Sequence, residues 1–67
     1  MYIDKCHTIS VTWDTTEQLW AVTWHDSNGA SLDTAEFYET KQEAVDMARA
    51  YHDSDRCRHL VIQKRAA

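Results

Sequence analysis

From His7 to Asp14 polar and apolar residues alternate without a break, with Ile9, Val11 and Trp13 on one side and Thr8, Ser10 and Thr12 on the other. A period of two marks a strand with one buried face. After Asp-Thr-Thr-Glu-Gln the alternation resumes from Leu19 to Asp26, setting Trp20, Val22 and Trp24 against Ala21, Thr23 and His25. This run predicts a second strand. Ser27-Asn28-Gly29-Ala30 follows, and Asn-Gly suits the two positive-φ positions of a type I′ hairpin turn. A third strand is therefore expected from about Ser31 to Tyr38.

If Trp13 lies opposite Trp20 across the first loop, Val11 meets Val22 and Ile9 meets Trp24. With Asn28 and Gly29 as the second turn, Trp24 meets Asp33, Val22 meets Ala35 and Trp20 meets Phe37. Both registers gather the tryptophans on one face, and a slip of one residue in either hairpin would destroy the agreement.

Thr40-Lys41-Gln42-Glu43 reads as a capping box, the threonine oxygen accepting from the Glu43 amide and the glutamate reaching back to the Thr40 amide. Behind it Ala44, Val45, Met47, Ala48 and Tyr51 recur at helical spacing, while Gln42, Glu43, Asp46, Arg49 and Asp53 point outward. The helix should fray near His52 to Ser54, and Leu60-Val61-Ile62 reads as a last short strand, which a right-handed return lays parallel to the first. The expected fold is α+β: a three-stranded antiparallel sheet packed on one helix, with a short fourth strand after it, in the order β-β-β-α-β. No linker, repeat or proline divides residues 1–67, so a single domain is expected.

At 67 residues such a chain buries only about 60% of the surface its unfolded form exposes. Three tryptophans, three tyrosines and a phenylalanine partly offset this, since each ring removes on the order of 150–250 Å² from water. Charge is uneven. Residues 1–55 hold all 11 acids against three bases, a net of −8, whereas the last 12 residues hold Arg56, Arg58, Lys64 and Arg65 and no acid, which restores the chain's −4. Most of this surface repels nucleic acid.

Cys6-His7 and Cys57-Arg58-His59 raise three readings. A zinc site needs four converging ligands, but adjacent residues such as Cys6 and His7 point to opposite faces of a strand, so no metal is expected. A disulfide is conceivable if the first and last strands are neighbours. Reduced thiols are the expected state, because no basic-then-apolar secretion signal is seen, no stretch could span a bilayer, and a cytoplasmic location follows. Enzymatic machinery is not expected either: His25-Asp26 and His52-Asp53 diverge as sequence neighbours, and the single glycine is committed to a hairpin. No cofactor is expected.

The run Trp20-Ala21-Val22-Thr23-Trp24, the Asn28-Gly29 hairpin and Phe37-Tyr38-Glu39-Thr40-Lys41-Gln42-Glu43-Ala44 resemble the sheet-plus-helix DNA-binding modules of plant ethylene-response factors and phage integrase arm domains. That resemblance implies a face of Ser10, Thr12, Ala21, Thr23, His25, Leu32, Thr34, Glu36 and Tyr38 entering the major groove. The face carries no Arg or Lys, so direct nucleic-acid binding is not expected. In size and acidity the chain is also similar to small phage anti-CRISPR proteins, a likeness that implies a host-cell cytoplasmic location if the chain is phage-encoded.

From Asp14 to Asp46 there are eight acids and one base, Lys41. Such a run can be a solvated face that keeps a small domain soluble. Its sharper reading is a partner-binding stripe of Asp33, Glu36, Glu39, Glu43 and Asp46 that imitates phosphates. The expected function is a non-catalytic inhibitor that binds a protein partner, itself a nucleic-acid-binding complex, with no membrane association and as a monomer or homodimer. A divergent DNA-binding or transcription-accessory module using the basic end is the alternative.

Overall fold

The computed structural model describes residues 6–32, 34–55 and 57–65. Its elements are β1 (Thr8–Asp14), β2 (Leu19–His25), β3 (Glu36–Tyr38), α1 (Lys41–Asp55) and β4 (His59–Ile62), an α+β arrangement in the expected order. One four-stranded sheet runs β3-β2-β1-β4; the first three strands are antiparallel, and β4 lies parallel to β1.

The first hairpin has the expected register, Ile9 opposite Trp24, Val11 opposite Val22 and Trp13 opposite Trp20. Asp14 organises its loop. Its carboxylate accepts from the Thr16 and Glu17 amides at 2.8 and 2.9 Å, and its carbonyl accepts from Gln18, which closes the turn with φ of +56°. Side-chain capping of this kind is what lets a loop of four residues replace a tighter turn.

The second hairpin departs from expectation. Gly29 alone has positive φ there, at +87°, and the turn is a three-residue loop closed by Asp26 and Ala30. Asp26 decides this: its carboxylate accepts from the Asn28 and Ala30 amides at 2.9 and 3.0 Å, and its carbonyl from Gly29. An isolated bridge joins His25 to Ser31, yet Val22 then pairs with Glu36, so the returning chain spends two more residues than its partner. β3 is therefore only three residues long. Trp20 meets Tyr38 and not Phe37, and Val22 meets Glu36 and not Ala35. A slip of one turns the strand over: Tyr38 packs against the core and Phe37 stands 40% exposed on the other face.

Helix α1 lies on the tryptophan side. Ala44, Val45 and Ala48 are buried against Ile9, Val11, Trp20, Val22 and Trp24, while Met47, expected in the apolar stripe, is exposed. Trp24 is fully buried, with the Tyr51 ring edge-on at 5.1 Å. Its indole N–H meets no acceptor among the described residues. At the helix start the Glu43 amide donates to Thr40 Oγ1 at 3.2 Å as expected, but the Glu43 carboxylate takes the Thr40 hydroxyl, at 3.0 Å, and not its amide. The helix continues through Asp55 without the expected fraying.

Cys6 and Cys57 are joined in a disulfide, their Cα atoms 4.9 Å apart. This corrects the expectation of reduced thiols. The physical reason is register: Thr8 pairs with His59, so Cys6 and Cys57, each two residues earlier, arrive side by side where both are buried. Bridges of this kind persist in oxidising surroundings, which pulls against the expected cytoplasmic location. No described helix is long and apolar enough to cross a membrane.

Candidate functional site

Of the five residues singled out from the sequence four are described, and one of these, Glu36, is engaged within the fold. Asp33 lies outside the described residues. Glu36, turned under the helix by the slip in β3, is half-buried, and its carboxylate accepts the Tyr38 hydroxyl at 2.7 Å and the Tyr51 hydroxyl at 3.4 Å. It ties β3 to α1. Glu36 therefore has its acceptor oxygens engaged inside the protein, and the pairing of Val22 with Glu36 is the signal that an outward reading of β3 misses.

This cluster has a pH signature. Burial, then the hydrogen bond to Glu36 and the negative charge of that carboxylate, push the Tyr38 phenol well above its ordinary value of 10.0. A raised pKa means the folded chain holds the proton more tightly than the unfolded one, so the stabilisation is complete below pH about 10 and is lost as pH rises beyond it. Denaturant unfolding at a series of alkaline pH values should show a steeper loss of stability for the wild type than for Tyr38→Phe. Parallel curves for the two proteins would contradict this assignment.

Glu39, Glu43 and Asp46 are exposed. Glu39 precedes the helix, Glu43 is in its first turn, and Asp46 follows three residues later on the same side, one of the spacings that bring helical side chains next to each other. Asp53, seven residues beyond Asp46, extends this outer face by two turns, and Arg49 stands on its flank. Asp46 accepts from the Gln42 amide group at 2.8 Å. The single ion pair among the described residues is His52 with Asp53 at 3.4 Å, so Glu39, Glu43 and Asp46 have no Lys or Arg within ion-pair distance there.

Lys41 is the one base inside the acidic run, and its ammonium is drawn away from the stripe. It lies 5.5 Å from the centre of the Trp20 ring and donates to the Lys64 carbonyl, pinning the segment after β4 over the core. Gln63 does the same from the other side, accepting from the Trp13 amide at 3.0 Å. Lys41 thus makes no ion pair with these carboxylates, and Arg49, three residues after Asp46, is the described base on their side of the helix.

The face opposite the helix is built mainly from short side chains. Thr12, Ala21, Ser10 and Thr23 occupy the two central strands, with Phe37 and Val61 on the outer ones. Ser10 Oγ lies 2.7 Å from Thr23 Oγ1, and His25 Nε2 lies 3.0 Å from Thr23 Oγ1 and 3.3 Å from Ser10 Oγ. Leu32, placed on this face by the resemblance, packs instead against the core, and Glu36 and Tyr38 are turned to the helix side. At one end the His7 and His59 rings are 4.7 Å apart, and His7 Nδ1 is 3.0 Å from Thr8 Oγ1. With both sulfurs committed to the bridge, neither cysteine is a metal ligand, and no group of three or more metal-ligating side chains converges among the described residues.

Comparison with known protein families, curated proteins and solved structures finds no match for this chain, so its own geometry is the ground on which a function is argued.

Proposed function

We propose that this protein is a non-catalytic inhibitor of the anti-CRISPR type, which docks the acidic outer side of α1 and the loop before it into a basic, nucleic-acid-binding groove of a protein complex. The observation that carries this reading is the set of exposed carboxylates at Glu39, Glu43 and Asp46, with no cation paired to them among the described residues. Surface acids ion-paired with lysine or arginine would have their field cancelled locally; these make no such pair among the described residues. An unneutralised field steers association with a positive groove and makes it fall with salt. Glu36 takes no part in the contact. Its role is to hold Tyr38 and Tyr51.

The test is to convert Glu39, Glu43 and Asp46 together to lysine and to measure binding to a heparin-retained nucleic-acid-binding fraction of the host extract. The wild type should compete with DNA for that fraction, and the triple variant should lose at least about tenfold in affinity with unchanged far-UV circular dichroism. Equal competition by the two proteins defeats the electrostatic reading. Saturable micromolar binding of duplex DNA by the wild type itself would favour the alternative of a small DNA-binding module.

A further inference from the structure

The two edges of the sheet are not alike. β3 is three residues long, follows an irregular stretch and carries Glu36, all features that discourage a further strand from pairing there. β4 is different. His59 to Ile62 pairs with β1 over four consecutive positions without a bulge and contains no Lys, Asp, Glu or Pro. Beyond its short length of four residues, it carries none of these devices by which natural proteins guard an edge.

Backbone direction decides which groups are open. The His59 amide donates to the His7 carbonyl at 3.0 Å and the Gln63 amide to the Val11 carbonyl at 2.9 Å, so alternate residues 59, 61 and 63 are turned toward β1. In a parallel pair the intervening residues direct their N–H and C=O to the other side. Leu60 and Ile62 therefore point these groups away from β1, to a side where no strand lies among the described residues. Val61 is 52% exposed on the face opposite the helix.

Charge selects the occupant. Arg58 stands before the strand and Lys64 and Arg65 follow it, all exposed and none within ion-pair distance of a carboxylate among the described residues. A second copy pairing antiparallel about a dyad would set Arg58 of each chain near the Lys64–Arg65 end of the other. Like charges so placed are destabilising. A segment with carboxylates at its ends and alternating small and β-branched residues between them meets the same edge favourably.

We propose that the open edge of β4, with Leu60 and Ile62 supplying backbone donors and acceptors and Arg58, Lys64 and Arg65 flanking them, accepts an extended acidic segment of a partner protein as a fifth strand. This is strand addition, in which main-chain hydrogen bonds provide affinity and flanking charges provide selection. None of Glu39, Glu43 and Asp46 belongs to this edge.

The probe is a fluorescein-labelled Glu-Glu-Val-Thr-Val-Thr-Val-Glu-Glu peptide, compared with the same peptide N-methylated at alternate central residues and with its lysine-for-glutamate counterpart. The acidic peptide should bind saturably, weaken as salt is raised from roughly 0.05 to 0.5 M, and slow amide exchange at Leu60 and Ile62. Both control peptides, and the acidic peptide against the Arg58→Glu/Lys64→Glu/Arg65→Glu protein, should bind at least about tenfold more weakly. Equal binding by the N-methylated peptide rules out strand addition, and equal binding by the lysine peptide rules out charge selection. No saturable binding of the acidic peptide at millimolar concentration overturns the proposal. So does a concentration-dependent dimer in which Leu60 and Ile62 are already protected, because the edge would then belong to a second copy.

Discussion

Replacing Cys6 and Cys57 together by alanine is expected to lower the unfolding free energy by about 4 kcal/mol. The bridge spans a sequence separation of 51, so it encloses most of the chain and removes a correspondingly large loop from the unfolded ensemble. For a domain of this size that loss corresponds to a fall of roughly 15–30 °C in Tm. Differential scanning calorimetry of the wild type, with and without reductant, and of the double variant would measure it. A change under about 1 kcal/mol would mean that parallel pairing of β1 and β4 holds the chain ends without covalent help. The expected consequence is local as well as global: once the bridge is opened, amide protection should fall first at His59 to Ile62, the strand that only β1 supports within the sheet.

Trp24→Ala carries the second large effect, about 3–5 kcal/mol. Trp24 is fully buried, lies opposite Ile9, and is closed over by Tyr51, so its removal leaves a cavity walled on both the sheet and helix sides. Domains of this length have a total stability on the order of 3–10 kcal/mol, and the variant should be largely unfolded at the upper end of that cost. Trp13 provides the internal control. It stacks edge-on with Trp20 at 5.5 Å but is only half-buried at the end of β1, so Trp13→Ala should cost distinctly less. Urea titrations followed by circular dichroism would rank the two. The reverse order would show that the core is centred on the first hairpin loop and not under Tyr51.

The contrast between the two hairpins explains how far local pattern reaches. Around Asp14 to Leu19 the alternation of both flanking strands is long, seven residues each, and only one register keeps Ile9, Val11, Trp13, Trp20, Val22 and Trp24 together. Around Asn28-Gly29 the expected register does not form, because it requires positive φ at Asn28 and in that turn only Gly29 has it. The Asp26 carboxylate competes for the amides of Asn28 and Ala30 and selects a different turn. Once the turn changes, every later position of β3 changes face. Glu36 is the clearest consequence: its acid group reads as surface in a list of charges, yet it becomes the shared acceptor for two tyrosines, one two residues away in β3 and one 15 residues away in α1.

For the candidate surface the division is similar. The exposure of Glu43 and Asp46 followed from the capping box and from helical spacing, both of which are local. That Lys41 would be diverted to Trp20 and to the Lys64 carbonyl did not, because those partners are brought to it by the sheet and by the chain after β4.

The sequence by itself determined the element order, the first hairpin register, the aromatic core and the uneven distribution of charge. Each depends on interactions between residues close in the chain, or on a periodicity long enough to leave one solution. Tertiary structure alone decided the union of Cys6 with Cys57, the inward turn of Glu36 and the open backbone of Leu60 and Ile62. These depend on which strand ends meet after the chain has crossed over the helix, and chain segments far apart in sequence carry no mutual signal until packing brings them into contact.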